Sequence, residues 1–170
     1  KGANNIAYSA DGITWTGVTG STIFSTSAYG VAYNSARPNR IVFPTNRTVA
    51  VGVGGNCIAY SPDGLTWIGV TGTSIFSDGR GAAWNGTLWV AVGTGSNTIA
   101  YSSDGINWIG IGVSIFSSYG YGVAWNGTLW VAVGTGGSTI AYSSDGINWT
   151  GLGTTSPASP FTNTGYGVAW

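Results

Sequence analysis

The sequence predicts an all-β chain, a β-propeller of short four-stranded antiparallel blades, about four of them, with one incomplete or completed by a partner. Three observations carry that prediction. One phrase recurs four times, as IAYSADGITW (6–15), IAYSPDGLTW (58–67), IAYSSDGINW (99–108) and IAYSSDGINW (140–149). The last three copies are spaced by 41 residues, whereas the first gap is 52, about 11 longer. Between the copies run short apolar segments rich in Val, Ile, Trp and Tyr, cut by Asn-Gly, Gly-Thr-Gly and Asp-Gly, and no stretch keeps a helical period. A repeat near 40 residues made of four short strands is the signature of a propeller blade.

Each unit divides into four segments. The first is GVAW, seen as GVAYN (30–34), GAAWN (81–85), GVAWN (122–126) and GVAW (167–170). The second is LWVAVG, inside NGTLWVAVGTG at 85–95 and 126–136, with VAVGVG (49–54) as a weaker first copy. TIAYS is the third and NWTG the fourth. The Asn-Gly between the first two segments predicts a two-residue hairpin with positive φ at both turn residues, and Asp-Gly predicts the same between the last two. A Phe precedes each first strand: Phe24, Phe76, Phe116 and Phe161.

The chain reads as one domain, 1–170, with an insertion around 34–48 that holds NSARPNRIVFPTNR. Either GVAYN or RIVF (40–43) can fill the first strand of that unit, and the motif match favours GVAYN. The chain starts at a third strand and stops in a first strand. Closing the ring would set 6–10 and 13–18 beside 166–170 in a shared blade without an LWVAVG strand. A truncated chain, a strand supplied by a partner or a larger ring of several chains would each account for this.

Composition narrows function. The chain has 5 Lys+Arg, 5 Asp+Glu and 6% charged residues, against about 25% in an ordinary soluble domain. That composition suits an extracellular module or a virion surface component. The basic residues are Lys1, Arg37, Arg40, Arg47 and Arg80. They form no stripe along which phosphates would run, so no nucleic-acid partner is expected. No apolar run reaches the ~18 residues of a membrane helix, and the single Cys57 excludes an intrachain disulfide. With no histidine and no glutamate, no Ser-His-Asp set and no usual zinc set can be assembled. The expectation is a chain that is not an enzyme, with no cofactor and no metal.

Asp11, Asp63, Asp104 and Asp145 head the recurrent turn. An Asp there accepts hydrogen bonds from its own turn's N–H groups, and the following Gly supplies positive φ. Ser9, Ser61, Ser102 and Ser143, two residues earlier, can join the same network, and the Trp four residues later can pack it. SPDGLTW and SSDGINW resemble the Asp-box of the BNR-type repeats of sialidase-like propellers, in all four units, with one residue fewer between Asp and Gly. In that family the box is a structural turn away from the active site. The resemblance therefore implies fold and a structural role for the four aspartates, not glycosidase chemistry.

The aromatic residues fall into two sets. Trp89 and Trp130 lie in the opposite strand phase to the valines of LWVAVG, where they can stack blade on blade or line a rim. Tyr29, Tyr119, Tyr121 and Tyr166 lie in the Gly-rich approach to GVAW, on loops that gather at one end of a propeller. Repeated rings there can form equivalent sugar-binding pockets, and all six aromatics are candidate ligand contacts. Asn46, Asn85, Asn126 and Asn148 begin N-x-[ST] triplets, which matter only on a glycosylating secretory route. The favoured function is a non-catalytic binding or attachment module, directed at a glycan or a protein surface and acting by avidity across several similar sites. The alternative is a structural assembly module of a virion, fibre or larger extracellular protein, with self-association or a partner strand completing the propeller.

Overall fold

The computed structural model describes residues 6–9, 11–18, 24–34, 47–71, 75–155, 157 and 159–170. Strands β1 (Ala7–Tyr8) and β2 (Thr16–Gly17) pair as a small hairpin. Three four-stranded units follow. The first is β3 (Ser27–Asn34), β4 (Arg47–Val53), β5 (Ile58–Ser61) and β6 (Ile68–Gly69). The second is β7 (Asp78–Trp84), β8 (Trp89–Thr94), β9 (Ile99–Ser102) and β10 (Ile109–Gly110). The third is β11 (Tyr119–Trp125), β12 (Trp130–Thr135), β13 (Ile140–Ser143) and β14 (Thr150–Gly151). Every unit is an antiparallel meander in chain order, and a single bridge, Val53 to Asp78, joins the first two units into one sheet. The chain is all-β and propeller-like.

First strands of successive units lie side by side, whereas each fourth strand approaches only its own third strand closely. The units therefore fan outward from their first strands. Glycine permits the close approach. A Cβ on Gly30 would come within 3.2 Å of the Gly81 α-carbon, and one on Gly81 within 3.4 Å of the Gly122 α-carbon.

The core lies between units. β8 is buried on both faces because its side chains alternate between two neighbours. Trp89 and Ala91 pack back against Val49, Val51 and Ile58 of the first unit. Val90 and Val92 pack forward against Phe116, Val123 and Trp130 of the third. This alternation explains the opposite phase of tryptophan and valine in LWVAVG. Each such side chain contributes about 1.5–3 kcal/mol relative to exposure. The rings of Phe24, Phe76 and Phe116 lie on Gly52, Gly93 and Gly134, where a Cβ would stand 2.8, 2.8 and 2.6 Å from the ring. Phe161 has no such glycine beneath it and is 43% exposed.

Three expectations change and one holds. The Asn-Gly connections are four-residue loops rather than two-residue hairpins: Trp84 faces Trp89, and Asn85 N–H bonds Leu88 C=O. Only glycine takes positive φ among the described residues. The turn holds because Asn85 Oδ1 accepts from Thr87 and Leu88 N–H, and Asn126 does the same. Asp-Gly likewise sits in a six-residue loop, so the fourth strand begins after the Trp, at Ile109–Gly110 rather than at Asn107. The C-terminal GVAW forms no strand. Its Gly167 nonetheless sits beside Gly122 as Gly122 sits beside Gly81, anchored by the Thr135–Thr164 bridge. GVAYN, not RIVF, pairs with β4; RIVF lies outside the described residues.

Candidate functional site

Each first strand carries a bulge at one place. The register to the second strand slips between Ala28 and Gly30, between Gly79 and Gly81, and between Gly120 and Gly122. The extra residues are Tyr29, Arg80 and Tyr121. A bulge frees its residue from the ladder and re-aims the side chain. Because the first strands stand side by side, the three re-aimed side chains meet.

Arg80 is the hub. Its guanidinium carbon lies 5.0 Å from the Tyr29 ring centroid and 5.5 Å from those of Tyr119 and Tyr121. Tyr119 and Tyr121 are stacked, centroids 5.5 Å apart, and Tyr166 meets Tyr121 at 5.2 Å. Asp78 Oδ2 accepts from Arg80 Nη2 at 3.3 Å, with both side chains about a quarter exposed. The four tyrosines singled out in the sequence thus form one aromatic cluster, three of them around Arg80 and Tyr166 joined through Tyr121, rather than separate equivalent pockets. Tyr29 and Tyr166 are its most open members, 51% and 75% exposed. Arg80 and Asp78 went unrecognised in the sequence. The available signal was register: they occupy the positions of Tyr121 and Tyr119 one repeat later.

Trp89 and Trp130 belong elsewhere, and this corrects their place among the ligand contacts. They are 1% and 0% exposed, covered by Trp84 at 4.9 Å and Trp125 at 5.3 Å between centroids. Burial between units closes both to any ligand.

The recurrent aspartates are spent on their own turns. Asp104 Oδ1 accepts from Ile106 N–H at 2.8 Å, Asn107 N–H at 2.7 Å and Ser102 Oγ at 3.0 Å, and Asn107 Nδ2 donates to Oδ2. Asp11, Asp63 and Asp145 repeat the pattern. Trp67, Trp108 and Trp149 Nε1 each donate to the glycine carbonyl of their box. The Thr14 and Ile13 N–H groups hold Asp11 at about 2, and Thr66 and Leu65 N–H hold Asp63 at about 2. At Asp104 burial pushes upward, but the Asn107 backbone and side-chain amides outweigh it and the value is again about 2. The Asn148 side chain drives Asp145 lower still. Carboxylates held ionised and saturated with donors make neither general acids nor bases. No group of three or more His, Cys, Asp or Glu gathers among the described residues. The chain also has no histidine and no glutamate.

A cavity of about 560 Å³ lies at Asn56, Cys57, Val70, Ile75, Phe76 and Ser77. Its thiol is engaged, Cys57 Sγ donating to Ser77 C=O at 3.0 Å. Burial first, and then the charge of Asp78, push that thiol above its ordinary value.

Comparison with known proteins bears on the fold. The sequence matches no family model, and no curated protein matches it. Among solved structures, YCF48 from Cyanidioschyzon merolae is similar, at 21% identity and a TM-score of 0.53. That likeness shows the fold alone. The match covers 75% of this chain and 37% of that one, so the chain spans little more than a third of the structure it resembles.

Proposed function

We propose that the chain is a non-catalytic binding or attachment module whose contact surface is the tyrosine–arginine cluster, and that the ligand is a carbohydrate, met outside the cell or on a virion. The observation that supports this is the convergence of Tyr29, Tyr119, Tyr121 and Tyr166, three of them a third or more exposed, on one patch. Exposed tyrosines, Tyr29 and Tyr119 on strands and Tyr166 on the segment beyond them, offer flat apolar faces to the C–H face of a sugar ring and hydroxyls to its rim. Rings held by bulges and by Arg80 lose little side-chain entropy on binding, which favours recognition by stacking. A glycan array on the purified chain tests the reading, with Tyr29→Ala and Tyr166→Ala as paired variants. A specific sugar signal weakened by both variants is expected; a blank array from folded protein refutes it.

A second reading, a structural assembly module, has one observation in its favour. Val31 on β3 is 65% exposed, while its counterpart Val123 on β11 is 8% exposed because the preceding unit covers it. Among the described residues no unit covers the β3 face, a blade-to-blade surface suited to a further unit or partner strand. Light scattering on the same sample separates the readings: a defined oligomer with no sugar binding favours assembly.

A further inference from the structure

Two near-identical repeats diverge at the cluster. Between 81–110 and 122–151 only four of 30 positions differ, whereas 78–80 and 119–121 differ at two of three, Asp-Gly-Arg against Tyr-Gly-Tyr. The blade framework is copied and the mouth is not. That substitution places a donor and an acceptor of opposite charge inside a ring of stacking surfaces.

Resting on the carbohydrate reading, we infer that the cluster is one site per chain for an uncharged sugar, in which Arg80 and Asp78 grip neighbouring hydroxyls. Three features carry this. The five aromatic and basic side chains form one connected set of contacts through Arg80 and Tyr121, so the repeats supply one composite site rather than several. Arg80 and Asp78 touch through a single contact of 3.3 Å, leaving Asp78 Oδ1 and further guanidinium N–H groups for a ligand. Adjacent hydroxyls present a donor and an acceptor side by side, which a guanidinium and a carboxylate match together. The pair is also electrically self-balanced. Among the described residues the cluster holds no second cation, so a carboxylated sugar would meet Asp78 without net attraction, at a cost in like-charge repulsion.

The test is calorimetric titration with neutral methyl glycosides (glucoside, galactoside, mannoside and fucoside) and the matching methyl uronosides. The expected result is a stoichiometry of one for a neutral glycoside, with its uronoside weaker by about tenfold or more. Asp78→Asn and Arg80→Lys should each weaken the neutral sugar by about tenfold, the loss that follows from removing a hydrogen bond to a charged group. Circular dichroism and the melting midpoint report whether each variant is folded, and the neutral-to-uronoside ratio on the unaltered chain needs no variant at all. Tighter binding of the uronoside, several sites per chain, or binding untouched by both substitutions in folded protein overturns the inference and leaves the carbohydrate reading standing. Failure of every sugar overturns both.

Discussion

Removing the Arg80 charge tests whether the cluster is one energetic unit. Arg80→Gln keeps much of the side chain's length and loses three ring contacts at 5.0, 5.5 and 5.5 Å. A cation over an exposed ring contributes about 0.5–1 kcal/mol, and three rings sharing one guanidinium give roughly 1.5–2.5 kcal/mol. The quarter-exposed pair with Asp78 adds at most about 1 kcal/mol. Against this, Arg80 Nε is buried without a partner, and removing such a donor returns about 1 kcal/mol. A net loss of about 1–2 kcal/mol is expected. The sharper readout is a double-mutant cycle with Tyr29→Leu, since Tyr29 stands on a different unit. Urea unfolding of the four proteins should give a coupling of about 0.5–1 kcal/mol. Strict additivity would refute the idea that Arg80 ties neighbouring units together.

Four further outcomes follow from the same geometry. Phe116→Ala empties the cradle over Gly134 and should cost about 3–5 kcal/mol, whereas Phe161→Ala, at a 43% exposed position, should cost under about 1 kcal/mol; thermal midpoints of the two variants decide it. Stability should fall in acid. Asp11, Asp63 and Asp104 are lowered to about 2 in the folded chain, so their contribution is intact above the unfolded value near ~4 and disappears as pH drops toward ~2. Melting curves from pH 6 to 2 should stay level at first and then slope downward. Cys57 should react slowly with a disulfide reagent at neutral pH, because its thiol is raised and bonded to Ser77 C=O. Cys57→Thr, copying Thr98 and its 2.8 Å bond to Phe116 C=O, should raise the urea midpoint by about 0.5–1 kcal/mol of stability.

Periodic features were legible in the sequence because local chemistry dictates them. The Asp-x-x-x-Trp turn is closed by hydrogen bonds spanning two or three residues, so its spacing is its structure. The alternation of Trp89 and Val90 reported two buried faces, yet not which neighbour each face meets. That depends on units 41 residues apart, and rim or ligand contact looked as open as core. The turn types failed for a physical reason: the Asn85 and Asp104 side chains take the N–H groups that a tight hairpin would leave to the ladder, which lengthens both loops. Arg80 and Asp78 stayed hidden because their importance lies in what the bulge brings to them, and a bulge inserted before Gly81 leaves no residue type of its own in the sequence.

The geometry also changes how repetition is put to use. Repeated aromatic loops suggested several similar weak sites and gain by avidity. Avidity needs distinct sites that linked ligand groups can occupy at the same time, and here the bulged residues of adjacent first strands stand within ring-contact distance of a common hub. Fanning of the units separates their fourth strands and crowds their first strands. Residues repeated at an outer strand would be multiplied as independent sites, whereas residues repeated at the first strand are fused into one. Once fused, the copies no longer need to be alike, and a single exchange of Tyr-Gly-Tyr for Asp-Gly-Arg gives the composite surface polarity and direction. Restoring the repeat with Asp78→Tyr and Arg80→Tyr should therefore leave the blades folded and abolish directional hydroxyl recognition while keeping apolar stacking.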